Sequence, residues 1–212
     1  MKWRYFPGQQ HERLRVFYTG WGMDAHVFEH LLTGDQDTLI VWDYTDLTLA
    51  DMPVENRSID LIAWSMGVWA ATQTLPTEQI VSAIAVNGTP TPIDDERGIP
   101  SAIFDGTLAT LSENGLARFR RRMCGGASAM ANFMEHAPQR DLEDLRTELA
   151  ALGNAIRTLP AKPFPWTQAV GCTNDKIFPI ASQQAAWPQL TTLAGEHWQP
   201  DLFERLLKGL PA

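Results

Sequence analysis

The chain has 212 residues, 44% hydrophobic and 20% charged, enough for one soluble domain with a substantial core. Seventeen basic against 25 acidic residues give a formal charge of -8, which argues against a general nucleic-acid binder, since that needs a basic field. The opening MKWRYFPGQQHERLR lacks the apolar stretch of a secretory leader, and no apolar run approaches the ~20 residues that span a bilayer. In chain order, KWRYF reads as an edge strand pairing antiparallel, and RVFYTGW (residues 15–21) as a strand ending in glycine. VFEHLL (27–32) has a short helix pattern, and TLIVWDY (38–44) is β-branched and aromatic, hence a strand. SIDLIAWS (58–65) is a further strand that runs directly into a small-residue helix, MGVWAATQTL, and VSAIAVNG (81–88) is the next strand. WTQAVGCTND and LTTLAGEHW read as two more, with the helix PIASQQAAW between them and DLFERLLKGL closing the chain. Short apolar strands alternating with helices predict an α/β domain with a mostly parallel sheet over residues 1–212.

Residues 89–161 break the rhythm. They open with TPTPIDDERGIP, run through FDGTLATLSENGLARFRRRM, SAMANFMEHA and DLEDLRTELAALGNAI, and close on the proline cluster LPAKPFP. About seventy mostly helical residues far exceed what a crossover needs. The expectation is a helical cap inserted over the C-terminal edge of the sheet, where α/β folds place ligands.

Ser65 sits at a strand-to-helix joint in Ala63-Trp64-Ser65-Met66-Gly67, a G-x-S-x-G elbow with alanine in the first position. Such a turn needs small residues two before and two after the serine, and it holds the hydroxyl above the sheet at a helix N-terminus. Either Ser65 is a nucleophile, with the Met66 N–H as an oxyanion donor, or it is a buried serine bonding its own turn. A second donor fits in YTGWGMD, where Gly20 and Gly22 free the backbone and Trp21 supplies an N–H; an ordinary glycine turn with a core tryptophan is the bland alternative. Downstream of Ser65 stand His136, within the helical insert, and His197, in LAGEHWQP after a short strand. The position of His197 suits a general base, and Asp175, in the polar loop after the preceding strand, suits its orienting acid. Asp141 and Asp144 lie on an amphipathic stretch and read as solvated.

The histidines at 11, 26 and 30 have no third ligand placed with them, and Cys124 and Cys172 form no zinc pattern, so neither metal nor cofactor is expected. The two cysteines read as buried thiols in a reducing, cytoplasmic protein. Arg118, Arg120, Arg121 and Arg122 cluster within this acidic chain. On a helix Arg118 shares a face with Arg121 or Arg122 while Phe119 turns inward. The cluster is either a solvated face or an anion-docking patch.

These motifs, T-G-W-G-M-D, A-W-S-M-G, G-C-T-N-D-K-I-F-P and G-E-H-W, resemble those of the α/β-hydrolases over most of the chain. The G-W-G-M-D start, the W-S-M-G-V elbow and the length are similar to the small BioG-type esterases of biotin synthesis. That resemblance implies hydrolysis of the methyl ester of pimeloyl-acyl carrier protein. It also implies Ser65, Asp175 and His197 as the triad, with Trp21 and Met66 at the oxyanion hole. Thr19 stands where many relatives have His, so the oxyanion loop must be fixed in another way. An acidic carrier protein would dock on the arginine cluster, and the acyl chain would lie against apolar residues such as Trp21, Trp64, Met66, Phe119, Met123 and Phe133. The expected partner is therefore a carrier protein bearing the ester, with no nucleic acid, no membrane, and a monomeric enzyme. A small-molecule esterase or thioesterase, and a non-catalytic binding protein on the same fold, are the competing readings.

Overall fold

A computed structural model describes residues 1–48, 51–54 and 56–211. Seven strands form one sheet: β1 (Lys2–Phe6), β2 (Gln10–Tyr18), β3 (Gln36–Trp42), β4 (Ser58–Trp64), β5 (Ile80–Val86), β6 (Gln168–Cys172) and β7 (Thr191–Leu193). Their order across the sheet is β1-β3-β2-β4-β5-β6-β7. β1 pairs antiparallel with β3, as its edge-strand pattern predicts, and every other pairing is parallel. The central strands are buried on both faces; Leu14, Val16, Phe17, Leu39, Ile40 and Leu61 are almost wholly inaccessible. That double burial is why these strands read as continuous apolar runs and not as alternating ones.

Helix α1 (Met66–Thr74) follows β4, α6 (Ile180–Ala186) follows β6, and α7 (Pro200–Leu207) follows β7. Between β5 and β6 run α2 (Ser101–Ala109), α3 (Glu113–Met123), α4 (Ala127–Met134) and α5 (Leu142–Thr158). Two expectations change in detail. The stretch 104–123 is two helices, because the Ser112 hydroxyl accepts from the Gly115 amide at 3.1 Å and starts a new helix there. Residues 27–32 form no α-helix; two 3₁₀ turns, Ala25–Val27 and Glu29–Leu31, meet at Phe28, whose φ of -120° interrupts helical geometry. Asp141 caps α5, accepting from the Asp144 amide at 2.8 Å.

The lower end of β3 carries a buried carboxylate, Asp37. Burial raises its pKa, but the Gly8 amide, Tyr5, Arg57 and His11 outweigh that effect and leave the carboxyl well below the usual range. A carboxyl depressed in the folded state stabilises above its unfolded pKa of about 4 and loses that contribution as pH falls toward the folded value. Urea midpoints measured from about pH 5 down to about pH 3 should therefore fall, and Asp37→Asn should flatten that slope while lowering stability at neutral pH.

Candidate active site

The C-terminal ends of β4, β6 and β7 bring three separated side chains together. β4 ends at Trp64, and Ser65 turns with φ 60° and ψ -127° before α1 begins. That left-handed backbone is costly for a residue with a Cβ and persists only where the surroundings hold it. Those surroundings are built from missing side chains. A Cβ on Gly67 would collide with the carbonyls of Tyr18 and Thr19, and one on Gly88 with the Ser65 carbonyl. A Cβ on Gly20 would press on the Trp64 ring at 3.0 Å and on the Ser65 Cβ at 3.2 Å.

His197 Nε2 lies 3.0 Å from Ser65 Oγ, and its Nδ1 lies 2.8 Å from Asp175 Oδ2. A ring nitrogen facing an ionised carboxylate carries the proton, which leaves Nε2 free to accept from the serine hydroxyl. Asp175 is held from four directions. Its Oδ1 accepts from the Ile177 and Phe178 amides at 2.8 Å each, and its Oδ2 also accepts from Gln183 Nε2 at 3.2 Å. The His197 ring is stacked against Phe178 and lies 5.2 Å from the Trp64 ring. All three polar side chains are buried.

Asn87, just past β5, is the functional residue the sequence reading passed over. Its Nδ2 donates to the carbonyls of His197 at 3.0 Å and Glu196 at 3.2 Å, while its Oδ1 accepts from the Cys172 amide at 2.8 Å. One side chain thus ties the histidine loop to the end of β6. Its sequence signal was an Asn-Gly pair following a strand, which reads equally as a plain turn. Trp64 Nε1 adds a second bond to the His197 carbonyl at 3.1 Å.

The remaining candidates divide. Trp21, Met66 and Phe119 line a narrow cavity of ≈ 40 Å³ beside Ser65 and His197. Ile103, Phe104 and Leu149 of the helical insert join them there, unforeseen because apolar residues at helical spacing look alike whether they face core or ligand. Phe133 is elsewhere, packed 5.1 Å from the Trp198 ring. Arg122 lines the cavity and, with Arg118, an adjoining groove of ≈ 460 Å³ between α2 and α3. Arg121 is exposed; Arg120 is half-buried against α4, 3.8 Å from Met134 Sδ, and burial lowers its pKa. His136 stacks on His30 with ring centroids 3.6 Å apart. Burial pushes the Cys124 thiol up to about 12 and raises that of Cys172, so neither offers a thiolate at neutral pH. Among the described residues no His, Cys, Asp and Glu group could hold a metal ion, and no helix is long and apolar enough to cross a membrane.

A mostly parallel seven-stranded sheet flanked by helices, with a serine elbow after its middle strand, is the α/β-hydrolase fold. The fold is shared with a hydrolase from Pseudomonas aeruginosa at a TM-score of 0.65 and 15% identity, over 98% of this chain and 93% of that one. The model of the family "Pimeloyl-ACP methyl esterase BioG" matches residues 1–208, and the chain belongs to that family. The crystal structure of BioG from Haemophilus influenzae superposes with a TM-score of 0.88 at 37% identity, covering 96% of this chain and 97% of that one. A malonyl-[acyl-carrier protein] O-methyltransferase of Bacteroides fragilis is 44% identical over 200 residues, 91% of this chain. The chain spans only 40% of that relative's length.

Asn87→Asp should expose how far the histidine loop depends on its anchor. The change is nearly isosteric but replaces two donated bonds with repulsion between oxygens, at a cost of about 1–3 kcal/mol. Ester turnover should fall about tenfold or more, and the thermal midpoint should drop; steady-state kinetics and a melt on the same preparation read both.

Proposed function

We propose that the chain hydrolyses the methyl ester of pimeloyl-acyl carrier protein through a covalent acyl-enzyme, with Ser65, His197 and Asp175 as its triad. The observation that carries this reading is the buried chain of contacts, 3.0 Å from Ser65 Oγ to His197 Nε2 and 2.8 Å from His197 Nδ1 to Asp175. Ser65 Oγ attacks the ester carbonyl as His197 Nε2 takes its proton. The carbonyl oxygen becomes an oxyanion facing the backbone N–H groups of Trp21 and Met66; among the described residues neither amide has a protein acceptor. His197 then returns the proton to the departing methoxide, which leaves as methanol. Water, deprotonated by His197, attacks the acyl-serine, and its collapse frees the carboxylic acid and restores the hydroxyl. Asp175 keeps Nδ1 protonated and the ring in place throughout, and stabilises the imidazolium.

Residues 89–161 act in this reading as a cap on a single domain. The ester end enters the cavity beneath it, and the rest of the acyl chain runs along the larger groove between α2 and α3. Arg118 and Arg122 border that groove, and with Arg121 they make no ion pair among the described residues. Three unpaired cations on a protein of charge -8 suit an acidic carrier protein and its phosphate-bearing arm.

Ser65→Ala should lower turnover by at least about a thousandfold with the melting temperature unchanged. His197→Ala should nearly match it and Asp175→Asn should lose somewhat less, whereas His136→Ala should stay within about threefold of the parent. Retained turnover in Ser65→Ala would remove the serine mechanism. A second measurement addresses the partner. Replacing Arg118 and Arg121, which lie outside the cavity, by alanine should raise KM for the carrier-bound ester several-fold and leave a small free ester unaffected. The parent's KM for the carrier-bound ester should climb with salt, since exposed charges are screened over ~8 Å at physiological ionic strength, and the variant should lose most of that dependence. Equal losses on both substrates would assign the arginines a structural role instead.

A further inference from the structure

One buried carboxylate takes no part in the triad. Glu148, on α5, is wholly inaccessible to solvent. Burial drives its pKa up, and Arg140 and the Tyr44 amide oppose that rise. Its Oε2 accepts from the Gly22 amide at 3.3 Å and from Arg140 Nη1 at 2.6 Å; its Oε1 accepts from the Tyr44 amide at 3.0 Å. Arg140 is itself only 4% exposed, with Nη2 3.3 Å from Asp43 Oδ2. A buried ion pair of this kind seldom adds net stability over apolar packing, so its presence asks for another use.

The partners indicate that use. Gly22 belongs to the loop after β2 that carries Trp21, and the same loop is tied to the helical insert at three further points. Trp21 Nε1 donates to the Leu145 carbonyl at 2.9 Å, Arg140 Nη1 lies 3.4 Å from the Met23 carbonyl, and the Gln139 amide donates to Asp24 Oδ2 at 2.6 Å. Among the described residues the hydroxyl of Thr19, the residue before the glycines, bonds only to the Gly20 carbonyl, at 3.3 Å. The loop that presents the Trp21 amide is therefore shaped from outside by the first turns of α5 and the residues just before it.

We propose that Glu148, paired with Arg140, is a positioning residue for ester hydrolysis: it fixes the Gly20–Asp24 loop so that the Trp21 amide meets the oxyanion. The inference rests on the serine reading above and on Trp21 as a donor. Removing one oxyanion donor costs about 10²–10³ in kcat, and a displaced donor costs part of that. The pairing with Arg140 has a second purpose. An uncompensated carboxylate near the site would oppose the negative charge that develops on the ester oxygen.

The test uses a small free ester, p-nitrophenyl butyrate, so that carrier docking has no influence. Glu148→Gln should lower kcat about ten- to a hundredfold with KM within about threefold. A trifluoromethyl ketone, which forms a tetrahedral adduct with serine, should lose affinity by the same factor as kcat/KM, while butyrate inhibition should not change. The double variant Glu148→Gln/Arg140→Met leaves no cation facing a neutral partner, while Asp43 keeps its pairing with Lys2 at 2.9 Å; its kcat should stay within about threefold of that of Glu148→Gln alone, since the two residues act largely as one unit. A folded single or double variant with parental kcat overturns the proposal, as does a rise in KM at constant kcat. Failure of both variants to fold would make the pair a folding element and overturn it equally. Ser65→Ala on the same ester separates the two readings: full turnover there sinks the nucleophile, whereas an inactive Ser65→Ala beside a normal Glu148→Gln sinks only the loop inference.

Discussion

The backbone of Ser65, held at a positive φ between β4 and α1, is the constraint on which the surrounding structure depends. A strand that entered its helix through a relaxed turn would leave the hydroxyl in the plane of the sheet, among neighbouring strands. The left-handed residue lifts it above the sheet edge, but only if adjacent backbone comes very close. Gly67 and Gly88 supply that closeness, one against the carbonyls of Tyr18 and Thr19 and the other against Ser65 itself. The parallel register that sets Tyr18 beside Ala63, and Ala63 beside Ala85, brings those backbones to the same level. Sheet register and the position of one oxygen are thus a single geometric fact.

The two side chains in line with Ser65 obey a different physics. Asp175 and His197 lie on loops, which are ordinarily the least determined parts of a fold. Here each loop is over-determined by hydrogen bonds to buried side chains. Asp175 accepts four bonds, and the His197 carbonyl accepts from both Asn87 and Trp64. Low local polarity makes each bond stronger and each missing partner more costly, so the arrangement tolerates little drift. The helical insert extends the same principle to the remaining loop, where Glu148 and the Leu145 carbonyl take the place of contacts from within the sheet.

The fold, and the meeting of Ser65, Asp175 and His197, were legible in the sequence for one physical reason. Apolar runs buried on both faces mark parallel strands, and in such a sheet the ends of strands in chain order are the ends that meet in space. Ser65, Asp175 and His197 each follow a strand, so their order alone indicated that they could converge. What could not be read were partners whose role depends on orientation. Glu148 sits one turn beyond Leu145 and beside Leu149 on a helix otherwise rich in charge, and nothing local distinguishes it from exposed Glu143. Arg120 and Arg122 are two residues apart, yet one turns toward α4 and the other toward the cavity, a difference set by how α3 packs. The 3₁₀ turns at residues 25–31 escaped for a related reason: one turn of apolar spacing is too short to separate the two helix types.

The ends of the sheet have a bearing on how this chain behaves at high concentration. An open strand edge is a template for another chain, and proteins guard against it with short strands or with charge. At one border stands β1, five residues long, with exposed Lys2 and Arg4 on its outward face. At the other stands β7, of three residues. A partly unfolded neighbour would therefore meet two cations at one side and scarcely a strand's length at the other. The most β-prone segments, β2, β3 and β4, lie inside these borders, so a partner strand reaches β3 only after β1 detaches from it.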